Sequence, residues 1–307
     1  MTLKQRVLST MKSRDVESDF ELYFTRTPGY LWALLFRRLH VHPIAVTLMG
    51  IVIGAASGWF FYSHDLRHNL IGMLMLIWAN WYDCADGQLA RMTGQKTLIG
   101  RILDGFAGDV WFFCIYLAIL LRLWPEWGIG IFLLEAWAGL HCHVLQCAIG
   151  DYYRNVHLWV MFGNSGSELD SSTLLRQQMQ RLHWSGGQWL ANIETCFEKL
   201  YLFFYARYTR GQERQTPEFQ KLRPLMEQQP LGSDVRSMFR LGSKPLMPLC
   251  NIITFDTRAI VLFLSLLVGH PWIYFIFEAT VLEAVRYYLI HRHESLCRKC
   301  RQTLSPA

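Results

Sequence analysis

The chain has 307 residues, 52% of them apolar, and a formal net charge of +6. The apolar residues are concentrated in long uncharged runs such as 46–62, which is typical of membrane helices and argues against a single soluble domain. The modest positive charge lies in clusters, and the chain contains no nucleic-acid-binding module, so we expect membrane lipids and not nucleic acid as partners.

Residues 1–41 are predicted to form a cytoplasmic segment on the membrane surface. Aromatic and basic side chains alternate over residues 18–40, which indicates an amphipathic interfacial helix. His42 and Pro43 then end this segment and begin the first apolar run.

Six apolar segments follow, and we expect each to form a transmembrane helix, although several reach the necessary ~20 residues only with polar ends included. The predicted spans are 43–62, 70–91, 101–122, 127–149, 250–268 and 271–290. The expected fold is therefore all-α and integral to the membrane, with spans one to four in 42–150 and spans five and six in 249–292.

A large cytoplasmic loop, 151–248, is predicted between the fourth and fifth spans. It is rich in charge, Gln and Pro, and only one amphipathic stretch, Trp189–Tyr208, stands out in it.

Residues 293–307 form a basic tail. The C-terminal pattern His291-x-His293-x3-Cys297-x2-Cys300 has a spacing that could bind zinc, but a simple membrane-proximal tail is the favoured interpretation. The eight cysteines are scattered, and a disulfide framework is not expected.

The distribution of basic residues predicts the orientation. Most basic residues fall on one side of the predicted membrane helices. They lie in the N-terminal segment (Lys4, Arg6, Lys12, Arg14), in the turn with Lys96, in the loop 151–248, called the insertion below, and in the tail. The turns on the opposite side carry few basic residues beyond Arg67 and Arg122. The positive-inside rule therefore places both termini in the cytoplasm, and we expect a bacterial inner-membrane protein.

Four aspartates lie where the second predicted span ends and the third begins. Asp83 and Asp86 share one helix face, and Asp104 and Asp109 follow on the next helix. In an antiparallel hairpin these acids lie at the same depth on the cytoplasmic side. Because so many carboxylates cannot all ionise together without a cation, the pattern favours hard divalent ions such as Mg²⁺ or Mn²⁺.

Glycines and an arginine accompany these acids. Gly87, Gly100, Gly105 and Gly108 leave room for a ligand or a neighbouring backbone, and Arg91 offers a fork of donors to a phosphate. Acids, glycines and arginine together indicate phosphoryl chemistry on a diphosphate substrate.

This stretch resembles the signature of the CDP-alcohol phosphotransferase family, D-x2-D-G-x2-A-R-x8-G-x3-D-x3-D. The matching positions are Asp83, Asp86, Gly87, Ala90, Arg91, Gly100 and Asp104. The resemblance implies that the three aspartates bind the metal ions which hold the donor diphosphate. It also implies that Gly87, Ala90, Arg91 and Gly100 line the nucleotide pocket.

The signature's last aspartate is displaced. Gly108 occupies its position and Asp109 follows, which on a regular helix rotates the carboxylate by about 100°. We expect a π-bulge at Gly105 or Gly108 to restore its direction, the alternative being that another group takes its role. With the bulge, the resemblance implies that Asp109 is a metal ligand and the general base, with Asp104 as the other catalytic residue.

The resemblance predicts a phosphotransferase of phospholipid synthesis that releases CMP. The favoured donor is CDP-diacylglycerol, and inositol or inositol phosphate is slightly preferred as the acceptor alcohol. A CDP-linked headgroup donor with a lipid alcohol acceptor, such as diacylglycerol or ceramide, remains open. From other classes, a catalytically silent scaffold and, more weakly, a transporter are alternatives. A homodimer is expected.

Other polar residues are weaker candidates. Arg258, Arg101 and Arg154 are candidate acceptor-phosphate contacts, with a paired structural charge as the alternative for Arg258. Asn251, Asp256 and Arg258 are expected to face the same cavity as the aspartates. The charges of the sixth span, Glu278, Glu283 and Arg286, are expected to form helix-to-helix pairs, and His141 and His143 to serve packing or hydrogen bonding and not a metal.

Overall fold

The computed structural model describes residues 5, 7, 13, 15–163, 167–184, 189–228 and 232–304. These residues form helices and connecting turns, with no strand among them, which confirms the all-α prediction. The basic residues Lys4, Arg6, Lys12 and Arg14 lie outside the described ranges, as do three short pieces of the predicted insertion.

Fourteen α-helices follow one another along the described residues. They are α1 Thr27–Arg38, α2 Pro43–Phe61, α3 Leu66–Thr93, α4 Leu98–Trp127, α5 Ile129–Glu135, α6 Val144–Phe162, α7 Ser172–Arg181, α8 Trp189–Gln215, α9 Pro217–Gln228, α10 Ser233–Ser243, α11 Met247–Ile252, α12 Phe255–Leu267, α13 Trp272–Phe277 and α14 Glu283–Leu304. Three π-helical turns, Glu21–Arg26, Ala136–His143 and Glu278–Leu282, and a 3₁₀ turn, Lys244–Leu246, complete the list.

The chain divides into two compact units. The first contains Met1–His143 and Phe255–Val281, and the second contains Val144–Thr254 and Leu282–Ala307.

In the first unit, α2 uses a stripe of glycines to approach its neighbours. Gly50, Gly54 and Gly58 recur at every fourth position, the small-residue spacing that permits close packing of membrane helices. A Cβ atom at Gly54 would lie 2.3 Å from the Trp111 ring, and one at Gly58 would lie 2.8 Å from the Cys114 backbone, both on α4. The contact between α2 and α4 therefore depends on these missing side chains.

The N-terminal segment packs onto α3. A Cβ atom at Gly29 would lie 2.7 Å from the Cβ of Cys84, so the two helices nearly touch. The Trp81 indole donates a hydrogen bond to the Phe24 carbonyl (2.8 Å), and the Gln88 amide donates one to the Arg26 carbonyl (3.2 Å). One face of α1 is buried and the other is exposed, as the amphipathic pattern predicts.

Four helical stretches are long and apolar enough to cross a membrane within the described part of the chain. They are Pro43–Phe61, Ile99–Trp127, Ile129–Phe162 and Ser233–Leu267, which overlap predicted spans one, three, four and five. The second predicted span, in α3, and the sixth, 271–290, do not meet this criterion, and both carry several charged residues. Six spans thus remain a prediction.

The second unit shows that the predicted loop is largely helical. Helix α6 continues to Phe162, beyond the predicted end of the fourth span, and α7 to α10 occupy much of the rest. These helices bury apolar residues at helical spacing, such as Phe219, Leu222 and Met226 on α9. Such spacing is harder to recognise in a segment with abundant charge, so the sequence showed only the amphipathic stretch that became α8.

Candidate active site

A tight reversal joins the two helices that carry the acids. Helix α3 ends at Thr93, and Gly94 adopts the left-handed conformation (φ 72°) that ends many helices. The hydroxyl of Thr97 then caps α4 by accepting a hydrogen bond from the Gly100 N–H at 3.0 Å. Gly100 is therefore part of a helix cap in this structure.

Three of the four predicted acids come together. Helices α3 and α4 both pack against α2, which holds the C-terminal part of α3 near the N-terminal part of α4. Asp104 lies within electrostatic range of both Asp83 and Asp86. We call Asp83, Asp86 and Asp104 the aspartate cluster.

Asp86 is the most enclosed member of the cluster. Only 3% of its surface is exposed, and Thr47 of α2 hydrogen-bonds its carboxylate. Its Oδ2 atom is nevertheless buried without a hydrogen-bond partner among the described residues. Because a buried carboxylate oxygen is strongly destabilised when left unpaired, this atom fits the predicted divalent cation as a ligand.

Arg91 borders the cluster one turn after Gly87. A Cβ atom at Gly87 would lie 3.6 Å from both terminal nitrogens of the Arg91 guanidinium, so glycine leaves that group space to move. Arg91 lies within electrostatic range of Asp104. Ala90 is half-buried beside it. This end of α3 therefore presents a cation next to the carboxylates.

Arg26 is a second cation at the cluster, and sequence reasoning missed it. It ends the π-helical turn Glu21–Arg26 and lies within electrostatic range of Asp83 and of Arg91. Its Nε donates to Glu17 at 3.0 Å. The alternation of aromatic and basic residues marked this segment for the membrane surface but did not reveal its packing against α3.

Asp109 lies apart from the cluster. Residues 98–127 form an uninterrupted α-helix, so the expected π-bulge at Gly105 or Gly108 is wrong. A Cβ atom at either glycine would meet nothing within 4 Å, so no close neighbour holds a distortion there. On this regular helix Asp109 is rotated about 140° from Asp104.

A buried polar network occupies another part of the first unit. The Tyr116 hydroxyl donates to Glu278 Oε2 at 2.6 Å and lies 3.0 Å from both His143 Nδ1 and the Tyr274 hydroxyl. The guanidinium of Arg258 pairs with Glu278 and lies 3.1 Å from His143 Nδ1. Of the two interpretations of Arg258, the structure favours the paired structural charge.

Two π-helical turns bring this network together. His143 ends the turn Ala136–His143 and Glu278 begins the turn Glu278–Leu282, so both residues lie where the helices are locally widened. The helix-to-helix pairing predicted for Glu278 is confirmed. His143 is confirmed as a hydrogen-bonding residue, while the exposed His141 stacks on Trp137 at 4.4 Å between ring centroids.

The remaining weaker candidates lie elsewhere. Asp256 lines a small cavity of about 110 Å³ whose walls are mostly apolar, and Arg258 is not among the residues that line it. Arg101 is exposed, whereas Arg154 is half-buried and belongs with Asn251 to the second unit. Glu283 and Arg286 pair with each other within α14.

Among the described residues, one set of potential metal ligands has its candidate ligand atoms close together, and it does not include the aspartates. His293, Glu294 and Cys297 are buried on α14, with candidate ligand atoms within 4.8 Å of one another. His293 Nδ1 lies 3.5 Å from Cys297 Sγ, and the imidazole stacks on the Tyr153 ring. These imidazole and thiol ligands are softer than the carboxylates of the aspartate cluster.

The fold and the cluster define the class of this protein. It is an all-helical integral membrane protein that gathers carboxylates and arginines at the reversal between α3 and α4. Residues 40–150, about a third of the chain, match the model of the CDP-alcohol phosphatidyltransferase family. The resemblance predicted from the aspartate motif is thereby confirmed for this part of the chain.

This is a family of transferases with a CDP-alcohol donor and an alcohol acceptor, whose members typically use a divalent metal. No curated protein and no solved structure matches the chain.

Proposed function

We propose that this protein transfers a phosphatidyl group from CDP-diacylglycerol to a small polar alcohol and releases CMP. The observation that carries the proposal is the buried Asp86 Oδ2, which has no hydrogen-bond partner among the described residues and lies beside Asp83 and Asp104 within the family-matched region. A divalent cation would stabilise such a group, and the cation in turn suits a diphosphate.

The acceptor we favour is inositol or inositol phosphate, within phospholipid synthesis. The cationic side chains Arg26 and Arg91 support an anionic substrate at the cluster. The same features also accommodate a CDP-linked headgroup donor with a lipid alcohol acceptor, because both reactions share the CDP-diphosphate.

The aspartate cluster and the residues around it have separate proposed roles. Asp83, Asp86 and Asp104 hold one or two Mg²⁺ or Mn²⁺ ions, which when bound neutralise the charge of the diphosphate. Gly87 and Ala90 leave space for the nucleotide, and Arg91 donates to phosphate oxygens. The N–H of Gly100, already used in the cap of α4, acts indirectly by fixing the start of that helix.

The proton of the acceptor hydroxyl passes to a carboxylate as the new ester bond to phosphorus forms and the bond to CMP breaks. Asp104 and Asp109 are the two candidates. The geometry favours Asp104, since it lies with Asp83 and Asp86 whereas Asp109 is on another side of α4. A general base must be within reach of the reacting hydroxyl.

CMP release by the purified protein tests this proposal. We expect release with CDP-diacylglycerol, Mn²⁺ and one alcohol from a panel of inositol, inositol phosphate, glycerol phosphate and serine, and none with a chelator present. Asp86→Asn should lower the rate by about a hundredfold or more, the usual consequence of losing one preorganised charged group. The exposed Asp234 on α10 provides a matched control, and Asp234→Asn should leave the rate unchanged.

The outcomes separate the alternatives. Release only from a CDP-linked headgroup with diacylglycerol or ceramide would select the reverse arrangement. Absence of CMP with every donor would overturn the enzyme proposal and leave the catalytically silent scaffold. Full activity of Asp86→Asn would overturn the role proposed for the aspartate cluster.

A further inference from the structure

The second unit contains a cavity of about 630 Å³ with a strongly basic wall. Four arginines line it, Arg176 from α7 and Arg207, Arg210 and Arg214 from α8. None of the described residues that line this cavity is acidic. We call it the arginine cavity. It lies outside the family-matched residues 40–150, and nothing in the proposed transfer reaction uses it.

The arginines repel one another in the absence of a counter-charge. Arg207 and Arg210 are three positions apart on α8, Arg210 and Arg214 are four apart, and like charges at these spacings destabilise a helix. None of the four makes an ion pair or hydrogen bond to another described residue. A bound anion would remove this repulsion.

Two acidic side chains, one on α8 and one just before α7, are already engaged. Glu213 accepts hydrogen bonds from the backbone N–H of Ser172 (2.9 Å) and from its hydroxyl. Asp170 accepts one from the Tyr205 hydroxyl at 2.9 Å. These bonds fix α7 against α8 around the buried Leu175. The acids therefore stabilise the walls of the cavity without neutralising its arginines.

Apolar residues continue from the basic wall along α8. Phe203 lines the cavity, and Phe197, Leu200 and Phe204 are exposed within the three turns that precede Arg207. Leu200 and Arg210 are separated by about 15 Å along the helix axis. One face of α8 thus changes from exposed apolar to basic over a distance comparable to that between the acyl chains and headgroup of a phospholipid.

Helices α7 and α8 lie between two candidate membrane spans in the sequence, which keeps them near the bilayer. The stretches that precede and follow them, Ile129–Phe162 and Ser233–Leu267, are both candidate membrane spans. The volume of the cavity suits a headgroup rather than a bare phosphate ion, since ligand sites commonly measure roughly 300–1,000 Å³.

From the four unpaired guanidiniums, the adjoining apolar face and the flanking spans, we infer that the arginine cavity binds the phosphate headgroup of an anionic phospholipid. A guanidinium group can donate two parallel hydrogen bonds to the oxygens of one phosphate. Met179 and Ala206 provide apolar contacts beside the arginines.

Binding of short-chain lipids to the full-length protein in neutral detergent tests the inference. The probes are dioctanoyl phosphatidylglycerol, dioctanoyl phosphatidylcholine and glycerol phosphate, each followed by native mass spectrometry and by the shift in unfolding temperature. We expect the anionic lipid to bind most tightly. The double variant Arg207→Gln/Arg214→Gln should weaken that binding by about tenfold or more, since two charged hydrogen-bonding groups are lost.

A charge-matched control is available in the same unit. Arg181 on α7 and Arg236 on α10 are exposed and do not line the cavity. The variant Arg181→Gln/Arg236→Gln should bind the lipid as the unmodified protein does. An equal loss in this control would overturn the site, because it would show a general charge effect. Equal binding of phosphatidylcholine, or binding of glycerol phosphate as tight as that of the lipid, would overturn the anionic-lipid assignment.

Discussion

Asp104 has more charged neighbours than any other described acid of α4. It is within electrostatic range of Asp83, Asp86 and Arg91, whereas Asp109 lies about 140° away around the same helix. A carboxylate beside the bound diphosphate can receive a proton from the attacking hydroxyl, while one on another side of the helix cannot.

We therefore predict unequal effects of two matched substitutions. Asp104→Asn should lower CMP release by about a hundredfold or more, and Asp109→Asn should change it by less than about threefold, since general-base catalysis contributes roughly 10²–10⁴-fold. Both variants remove one carboxylate from the same helix, so each serves as the control for the other. A large loss in Asp109→Asn would overturn the assignment of the general base to Asp104.

The same residues show what the sequence could and could not predict. The convergence of Asp83, Asp86 and Asp104 was predictable, because Gly94 and Thr97 mark a helix reversal that brings the two acidic helix ends together. Arg26 was not predictable in this role, since its proximity to Asp83 depends on how closely Gly29 lets α1 approach α3. Spacing along one chain contains no information about such contacts between helices.

A second prediction at the residue scale concerns pH. Burial lowers the pKa of His293 below its ordinary value of 6.5, against the opposing effect of Glu294. The folded protein therefore keeps His293 neutral, while the unfolded chain binds a proton as the pH falls below 6.5. The neutral His293 therefore contributes fully to the stability of the folded protein above pH 6.5. Below that pH the free energy of unfolding falls by at most about 1.4 kcal/mol per pH unit, because one proton is taken up on unfolding.

Thermal unfolding of the detergent-solubilised protein with a chelator present, between about pH 8 and about pH 5.5, measures this contribution. His293→Phe should unfold with a weaker dependence on pH, because Tyr153, Phe219 and Phe239 already surround the ring. His291 is exposed on the same helix, so His291→Gln should keep the original dependence. Identical slopes in His293→Phe and the unmodified protein would contradict the prediction.

At the scale of helices, α2 is the element against which α3 and α4 both pack. Its glycines at every fourth position were visible in the sequence, and their spacing already indicates a tight helix contact in a membrane protein. The π-helical turns at Ala136–His143 and Glu278–Leu282 were not foreseeable. They occur where buried polar side chains must meet across helices, and that need arises only in the assembled unit.

The glycine stripe leads to a stability prediction. A Cβ atom at Gly58 would lie 2.8 Å from the Cys114 backbone, which cannot move aside as a flexible side chain can. Gly58→Ala should lower the free energy of unfolding by about 1–3 kcal/mol, the usual effect of overpacking. A Cβ atom at Gly130 on α5 would meet nothing within 4 Å. Gly130→Ala should thus be neutral or stabilising by up to about 1 kcal/mol. Equal unfolding temperatures for the two variants would argue against the close contact.

At the scale of the whole molecule, the number of spans decides which segments share a side of the membrane. Four stretches of the described residues qualify by length and hydropathy, and α3 and the 271–290 region carry charged groups that lower their apolar character. Because α3 contains Asp83, Asp86 and Arg91, the residues proposed for the site are also the ones that lower its hydropathy as a candidate span. In the six-span arrangement, residues 62–65 and the segment 163–232 lie on opposite sides of the membrane. If α3 does not cross the membrane, these two segments no longer lie on opposite sides.

Labelling of cysteines from one side tests the predicted orientation. Cys196 is exposed in the segment predicted to be cytoplasmic, and His64 is exposed in the turn between α2 and α3, predicted to lie on the opposite side. A membrane-impermeant maleimide should leave Cys196 unlabelled in intact cells and label it in inverted vesicles. The variant Cys196→Ser/His64→Cys should show the reverse pattern, because the positive-inside rule places the basic insertion in the cytoplasm. Labelling of both positions from the same side would exclude the six-span arrangement.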